Sequence, residues 1–440
     1  MTRELSTAPT SDSAAVEEFP LSPAQLGMWY AQQLDPTVPL YEAQYIDMRG
    51  PLDLDLLVAV SQQVSREFES GLLRLVDTPE GPRQVVDRCV ELTMSHLDFS
   101  GAADPEAEAL RWMRADIAAP IDLLGDRLVL TALIRIAPDR VLWYSRAHHI
   151  VVDGFASATA LYRVAELYNA ALAGREPPPG RAASLRTVHE ADLRYRASTR
   201  FAADAEYWAR RAADMPSRCS LVDAAAPAHA LGRQHRAELP TATKERLDAA
   251  AARFGVGTPG LAMAALAVYY AQATGTEDVV LSLPVSGRTT ATLRRSGGML
   301  ANVVPLRVRV GEGSTVAELV DAIRVEVSGA LRHQQFRHEE IRQGEAGRGF
   351  VGPVVNIMLF PTEVDFTDVR TSLHVLSSGP IEDLFVNFYQ HGASSPIHVD
   401  FTANPDLYDS DTLSRHHRRF LTLFEAMIDA DPATPVRSLE

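Results

Sequence analysis

Two adjacent imidazoles, a carboxylate and a glycine stand at fixed offsets in His148-His149-Ile150-Val151-Val152-Asp153-Gly154, the pattern HHxxxDG. Imidazole has a reference pKa near ~6.5, so it is mostly neutral at cellular pH and accepts a proton from an attacking amine or hydroxyl. The set is suited to moving a proton, and His149 is the first candidate for that role. His148 is either a second working group or a buried, hydrogen-bonded residue. Asp153 either orients a ring, pairs with a distant cation or caps a following helix. Gly154 permits a backbone conformation and a close approach that a side chain would block. At the chain's own His, Asp and Gly frequencies, such a match arises by accident in roughly one such chain in a thousand. A second pair, His416-His417, has no Asp-Gly after it and lies within Arg415-His416-His417-Arg418-Arg419, so it reads as a solvated helix face.

The loop must be held by what flanks it. Val141 to Ala147 is β-branched and aromatic enough for a strand, and Phe155 to Leu172 repeats apolar residues at helical spacing, with Leu161, Val164, Leu167 and Tyr168 on one side. The motif therefore sits where a strand feeds a helix. Strand and helix signals alternate up to Leu172, and Gly174-Arg175-Glu176-Pro177-Pro178-Pro179-Gly180 is the clearest break, dividing the chain into halves. Beyond it come a long helical region from about Leu185 to Ala213, an alanine-rich buried helix from Thr258 to Ala273 and an apolar strand over Val279 to Leu283. Residues 1–17 are rich in Thr, Ser and Ala without periodicity and read as a disordered leader.

Other chemistries find no support. A metal site needs a third ligand, yet His189 and His235 are isolated and Cys89 and Cys219 are the only cysteines, so no metal is expected. There is no G-x-S-x-G elbow, no phosphate-binding glycine loop and no dinucleotide fingerprint. A chain of 440 residues that is 46% hydrophobic can bury substantial cores. Its net charge of −15, from 42 basic and 57 acidic residues, argues against a nucleic-acid partner. With no disulfide framework, no signal peptide and no apolar run of roughly 18 residues, no membrane partner is expected and a cytoplasmic, monomeric protein is.

HHxxxDG in this setting resembles the active-site motif of the condensation domains of nonribosomal peptide synthetases, within the chloramphenicol-acetyltransferase-like superfamily. The likeness covers nearly the whole chain. Leu21-Ser22-Pro23-Ala24-Gln25-Leu26-Gly27-Met28-Trp29-Tyr30 resembles the family's opening motif and reads as a helix start, with Ser22 as N-cap, Pro23 in the first position and Gln25 completing a capping box. Tyr207-Trp208, the segments Pro284 to Arg288 and Gly298 to Arg307, His333-Gln334-Gln335-Phe336 and Gly352-Pro353-Val354-Val355-Asn356 resemble later motifs. The second motif survives only as Ser65-Arg66-Glu67-Phe68 and Leu72-Leu73-Arg74, and Ala156 stands where many members have serine, with Ser157 adjacent.

The resemblance implies an α/β fold of two chloramphenicol-acetyltransferase-like lobes forming a V-shaped pseudo-dimer with a central active-site tunnel. The lobes would be residues 18–176 and 187–440, joined by a linker at 177–186, with crossover segments near 284–307 and 370–395. It implies that His149 either takes the proton or positions the amine, and that Asp153 pairs with Arg288 from the other half. Gly154 would let the backbone face a thioester, and Asn356 and Ser157 would line the tunnel. The chain has no phosphopantetheine attachment motif and no adenylation signature. No cofactor would then be bound, and both substrates would arrive as phosphopantetheine thioesters on donor and acceptor carrier proteins, beside an adjoining adenylation domain. Its abrupt end at Leu439-Glu440 suggests an excised piece of a larger synthetase. Ala24 to Trp29, Gly352 to Ile357 and Ser378 to Leu384 look like first-module domains of siderophore-type synthetases, which accept an aryl or other non-amino-acyl donor. Ordinary condensation of two aminoacyl thioesters, ester formation, acyl transfer from free thioesters, an epimerisation domain and a non-catalytic docking domain are the alternatives.

Overall fold

Ser22, extended at φ −68° and ψ 160°, begins the first helix by the capping box read from sequence: its hydroxyl accepts from Gln25 N while the Gln25 side chain accepts from Ser22 N at 2.9 Å. The computed structural model describes residues 16–216, 218–343, 352–359, 364–390 and 395–439. Its first half runs β1 (Val16–Pro20), α1 (Pro23–Leu34), β2 (Tyr41–Arg49), α2 (Leu54–Phe68), β3 (Leu73–Thr78), β4 (Gly81–Asp87), β5 (Ser95–Asp98), α3 (Pro105–Ala118), β6 (Val129–Ala137), β7 (Arg140–His148) and α4 (Gly154–Leu172). The second half runs α5 (Leu185–Arg196), α6 (Thr199–Ala212), β8 (Arg233–Leu239), α7 (Thr241–Phe254), α8 (Thr258–Thr274), β9 (Asp278–Val285), β10 (Asn302–Arg309), α9 (Val316–Arg332), α10 (His338–Gln343), β11 (Val354–Met358), β12 (Arg370–Ser378), β13 (Leu384–Gln390), β14 (Ile397–Ala403) and α11 (Ser410–Asp429).

Three sheets carry the architecture. A five-stranded sheet in the order β12-β2-β7-β6-β5 dominates the first lobe, beside a small sheet β1-β4-β3, and a six-stranded sheet β10-β9-β11-β13-β14-β8 forms the second. The first lobe buries Ile46, Met48 and Trp143 against Val60 and Val64 of α2 and Val164 and Tyr168 of α4. The second lobe buries the inner residues of β9, β13 and β14 under α8, α9 and α11. Helix α8 is wrapped by protein all round, from Leu261 to Tyr270, which is why its sequence shows no polar stripe. Among the described residues no single helix is long and apolar enough to cross a membrane.

The lobes exchange chain. β12, from the second half, is the edge strand of the first lobe's sheet and pairs antiparallel with β2 from Arg370↔Arg49 to Ser378↔Glu42. The crossing ends there, because Leu384–Gln390 returns as β13 to the second sheet. In the other direction, isolated bridges join Val152 to Gly298 and Ala183 to Ser296.

Several local expectations need correction. β1 already starts at Val16, so Val16 and Glu17 are strand, and the rest of the expected leader lies outside the described residues. The linker ends earlier than 186, because Ser184 caps α5 and the helix begins at Leu185. The helical region from Leu185 to Ala213 consists of two helices, separated where Ala197 ends α5 and Ser198 precedes α6. His417 is not on a solvated face: it is fully buried, with Nε2 2.9 Å from Val399 O and Nδ1 2.9 Å from Nδ1 of His235, which is therefore not isolated either.

Candidate active site

The HHxxxDG loop is a five-residue bridge whose two ends are pinned by regular structure. β7 runs into it in register with β2, Tyr41 opposite His148, and α4 leaves it at Gly154. Helix α1 grips it from the side. Gln25, 4% exposed, donates from Nε2 to Ile150 O at 3.0 Å, and Gln32 reaches His148.

The two histidines have different environments. His148 is fully buried; its Nδ1 accepts from Ile150 N at 3.1 Å, so the ring proton sits on Nε2 and goes to Gln32 Oε1, also 3.1 Å away. Burial above all, with the positive charges of His149 and Arg146 adding to it, pushes its pKa down to about 3. It stays neutral and has no free nitrogen. His149 is half-buried, and its Nδ1 lies 3.3 Å from Val152 O, a group that can only accept. Nδ1 then carries the proton, and Nε2 keeps its lone pair. Gly379 lies over that nitrogen. A side chain there would bring its Cβ to 3.4 Å from His149 Nε2, and its φ of +104° is one that L side chains rarely adopt.

Asp153 serves two elements at once. Oδ1 accepts from Ala156 N at 3.0 Å and caps α4, whereas Oδ2 accepts from Arg288 Nη1 at 2.7 Å and from Leu300 N and Ala301 N at 2.8 Å each. Asp153 is 1% exposed and Arg288 3%, so the ion pair is sealed between the lobes. Arg288 also donates to Ser286 O and Gly298 O and rests 4.9 Å over the Phe155 ring. It is held there by Gly287 (φ +65°), whose Cα faces Leu300 O so closely that a Cβ would stand 2.3 Å from it.

Gly154 departs from expectation in one respect. It needs no unusual backbone conformation, since its φ is not positive; a Cβ there would meet nothing within 4 Å. The glycine leaves open space beside the histidine loop. Ser157, one turn into α4, accepts from Gln44 Nε2 at 3.3 Å. Asn356 is half-buried on β11 opposite Asn387, in the second sheet, and no contact joins it to the histidine loop among the described residues. Among the described residues no cluster of His, Cys, Asp and Glu could hold a metal.

Sequence reasoning missed Gln32, Glu42 and Gly379. Each reaches the loop from a distant strand or helix, and only Gly379 lay in a segment singled out beforehand. Later motifs prove to be packing partners: Trp208 Nε1 donates to His333 O, and Asn302 Nδ2 to Gln334 O and Phe336 O.

With this geometry in place, comparison with known proteins is decisive. The family model for the condensation domain matches residues 15–440. The chain belongs to the condensation domain family. This condensation domain is 37% identical over 414 residues to a dimodular nonribosomal peptide synthase of Bacillus subtilis (strain 168), a match covering 93% of the chain but 17% of that relative. It spans less than a fifth of the relative's length. Solved structures share its two-lobed α/β fold. The first condensation domain of the calcium-dependent antibiotic synthetase, in complex with a substrate analogue, matches with a TM-score of 0.88 and 32% identity over 96% of this chain and 99% of that one. The starter condensation domain of rhizomide synthetase, in complex with C8-CoA, matches with 0.89 and 32% over 96% and 97%.

Proposed function

We propose that this condensation domain forms an amide bond between an acyl thioester donor and the amine of an aminoacyl acceptor, each carried on the phosphopantetheine of a carrier protein. The observation that carries the reading is the His149 geometry: an unprotonated Nε2 beside Gly379, with open space at Gly154, in a loop locked across both lobes by Asp153 and Arg288. The amine nitrogen bonds to the thioester carbon, its proton passes to Nε2, the C–S bond breaks and the proton leaves on the thiol. Holding both reactants in attack geometry supplies up to ~7–11 kcal/mol, against a rate factor of about 10²–10⁴ for a positioned base, so orientation between the lobes contributes most.

The lobes, residues 18–176 and from α5 onward, would bound a tunnel through which the two arms enter, with Ser157 and Asn356 on its walls and an adenylation domain adjoining in the same cytoplasmic synthetase. The likeness to a starter condensation domain bound to C8-CoA supports an initiating module with a non-amino-acyl donor. The test presents fatty-acyl, aryl and aminoacyl donors, each as carrier thioester and as free coenzyme A thioester, to an aminoacyl acceptor carrier. Transfer of a fatty-acyl or aryl group in preference to aminoacyl supports the initiating reading; preference for aminoacyl carrier thioesters moves the domain to ordinary elongation.

A further inference from the structure

Glu42 is the titratable group near His149 that neither the motif nor the ion pair uses. It lies on β2 opposite Ala147 of β7 on one side and Ser378 of β12 on the other, so it sits between the strand that delivers His149 and the strand that delivers Gly379. Alternation along β2 turns Glu42 and Gln44 to the same face, toward α4, where Ser157 takes a hydrogen bond from Gln44. Glu42 Oε2 is closed off from solvent and has no hydrogen-bond partner among the described residues. A carboxyl oxygen shut in without a donor is costly unless a charge nearby compensates it.

We propose that Glu42 is a positioning residue for His149, its buried carboxyl offsetting the charge of the imidazolium formed when the attacking amine gives up its proton. This rests on the proton-accepting reading of His149. The groups that face Glu42 agree with it. His149, after β7, is the cationic partner; Asp153 at the start of α4 opposes ionisation, but its charge is met by Arg288; β12 contributes only the uncharged Ser378. Arg146, on the opposite face of β7, is held by Asp116 at 2.9 Å. Burial pushes the Glu42 carboxyl above the usual carboxylate range, and His149 and Ser157 pull it back. The proton balance is unchanged: it leaves the amine, resides on His149 Nε2 and departs on the thiol, while Glu42 alters how well the intermediate charge is tolerated.

The test is a carboxyl titration by carbon NMR on the full chain labelled in glutamate, with Glu42→Gln identifying the signal. The Glu42 signal is expected to titrate above those of exposed glutamates, and to move higher still in His149→Ala. In parallel, Glu42→Gln should move the acid limb of the acyl-transfer rate profile to lower pH by about one unit, because the protonated imidazole loses its counter-charge; Glu42→Asp should restore part of it and serves if the glutamine variant does not fold. A Glu42 signal that titrates with the exposed glutamates, or is unmoved by His149→Ala, overturns the inference even if His149→Ala abolishes transfer. Full transfer by His149→Ala would instead overturn the reading of His149 itself, and the role of Glu42 with it.

Discussion

The Asp153–Arg288 pair makes the sharpest energetic prediction. Asp153→Ala removes a carboxylate that satisfies Arg288, two backbone amides and the first turn of α4. With Arg288 only 3% exposed, its guanidinium keeps just the carbonyls of Ser286 and Gly298. Stranding one member of a buried pair costs about 3–5 kcal/mol and losing a helix cap about 1 more, so the variant should lose about 4–6 kcal/mol. Asp153→Asn keeps the cap oxygen and should lose about 1 less. Arg288→Ala leaves the carboxylate with three N–H donors and should cost about 3 kcal/mol, the low end for a broken pair. The double variant removes both charges, and the cycle should return a coupling of about 2 kcal/mol. The assay is urea unfolding followed by tryptophan fluorescence, since Trp29, Trp112 and Trp143 report the first lobe and Trp208 the second. Losses under ~1 kcal/mol, as for an exposed pair, or additivity within ~0.5 would show that the pair does not lock the lobes.

Three further outcomes follow from the loop. Gly154→Ala meets no atom of the protein, so stability should hold or rise by about 0.4–1 kcal/mol, while transfer falls about 10–100-fold if substrate occupies that space; unchanged turnover would show that it does not. Gly379→Ala should cost about 1–3 kcal/mol in backbone strain and lower kcat through contact with His149 Nε2, and a fully active variant would remove Gly379 from the site. Because His148 is held neutral with its pKa at about 3, the unfolded chain binds a proton that the folded one does not between about pH 3 and 6.5. Stability should therefore fall as pH drops below 6.5, by up to ~1.4 kcal/mol per unit from this residue, with His417, depressed by burial to about 4, adding its share; His148→Gln should flatten the slope, and an unchanged slope contradicts the assignment.

What was legible in the sequence was local. The capping box at Ser22 and Gln25, the cap at Asp153 and the helical stripe of α4 each depend on residues within a turn or two of one another, and the structure has them where periodicity puts them. The two glycines of 298 and 379 and the pairing of β12 with β2 depend on contacts across hundreds of residues, for which no local pattern exists. The same distance hid the second task of Gln25, whose amide reaches Ile150 as well as completing its cap. His417 was misread because the flanking arginines drew attention to charge. Leu413, His417, Phe420 and Phe424 share one face of α11, and that spacing already placed His417 inside. Family resemblance, rather than residue chemistry, singled out Arg288 as the partner of Asp153.

On the proposed mechanism His149 moves the proton of amide formation. That role is tested most directly by intact-mass measurement of an aminoacyl acceptor carrier after incubation with a charged donor carrier and either the unchanged domain or His149→Ala. The acceptor should gain the acyl mass with the unchanged domain, and the variant, folded by the same unfolding assay, should transfer at least about 100-fold more slowly. Equal acyl transfer by the two proteins would contradict that role.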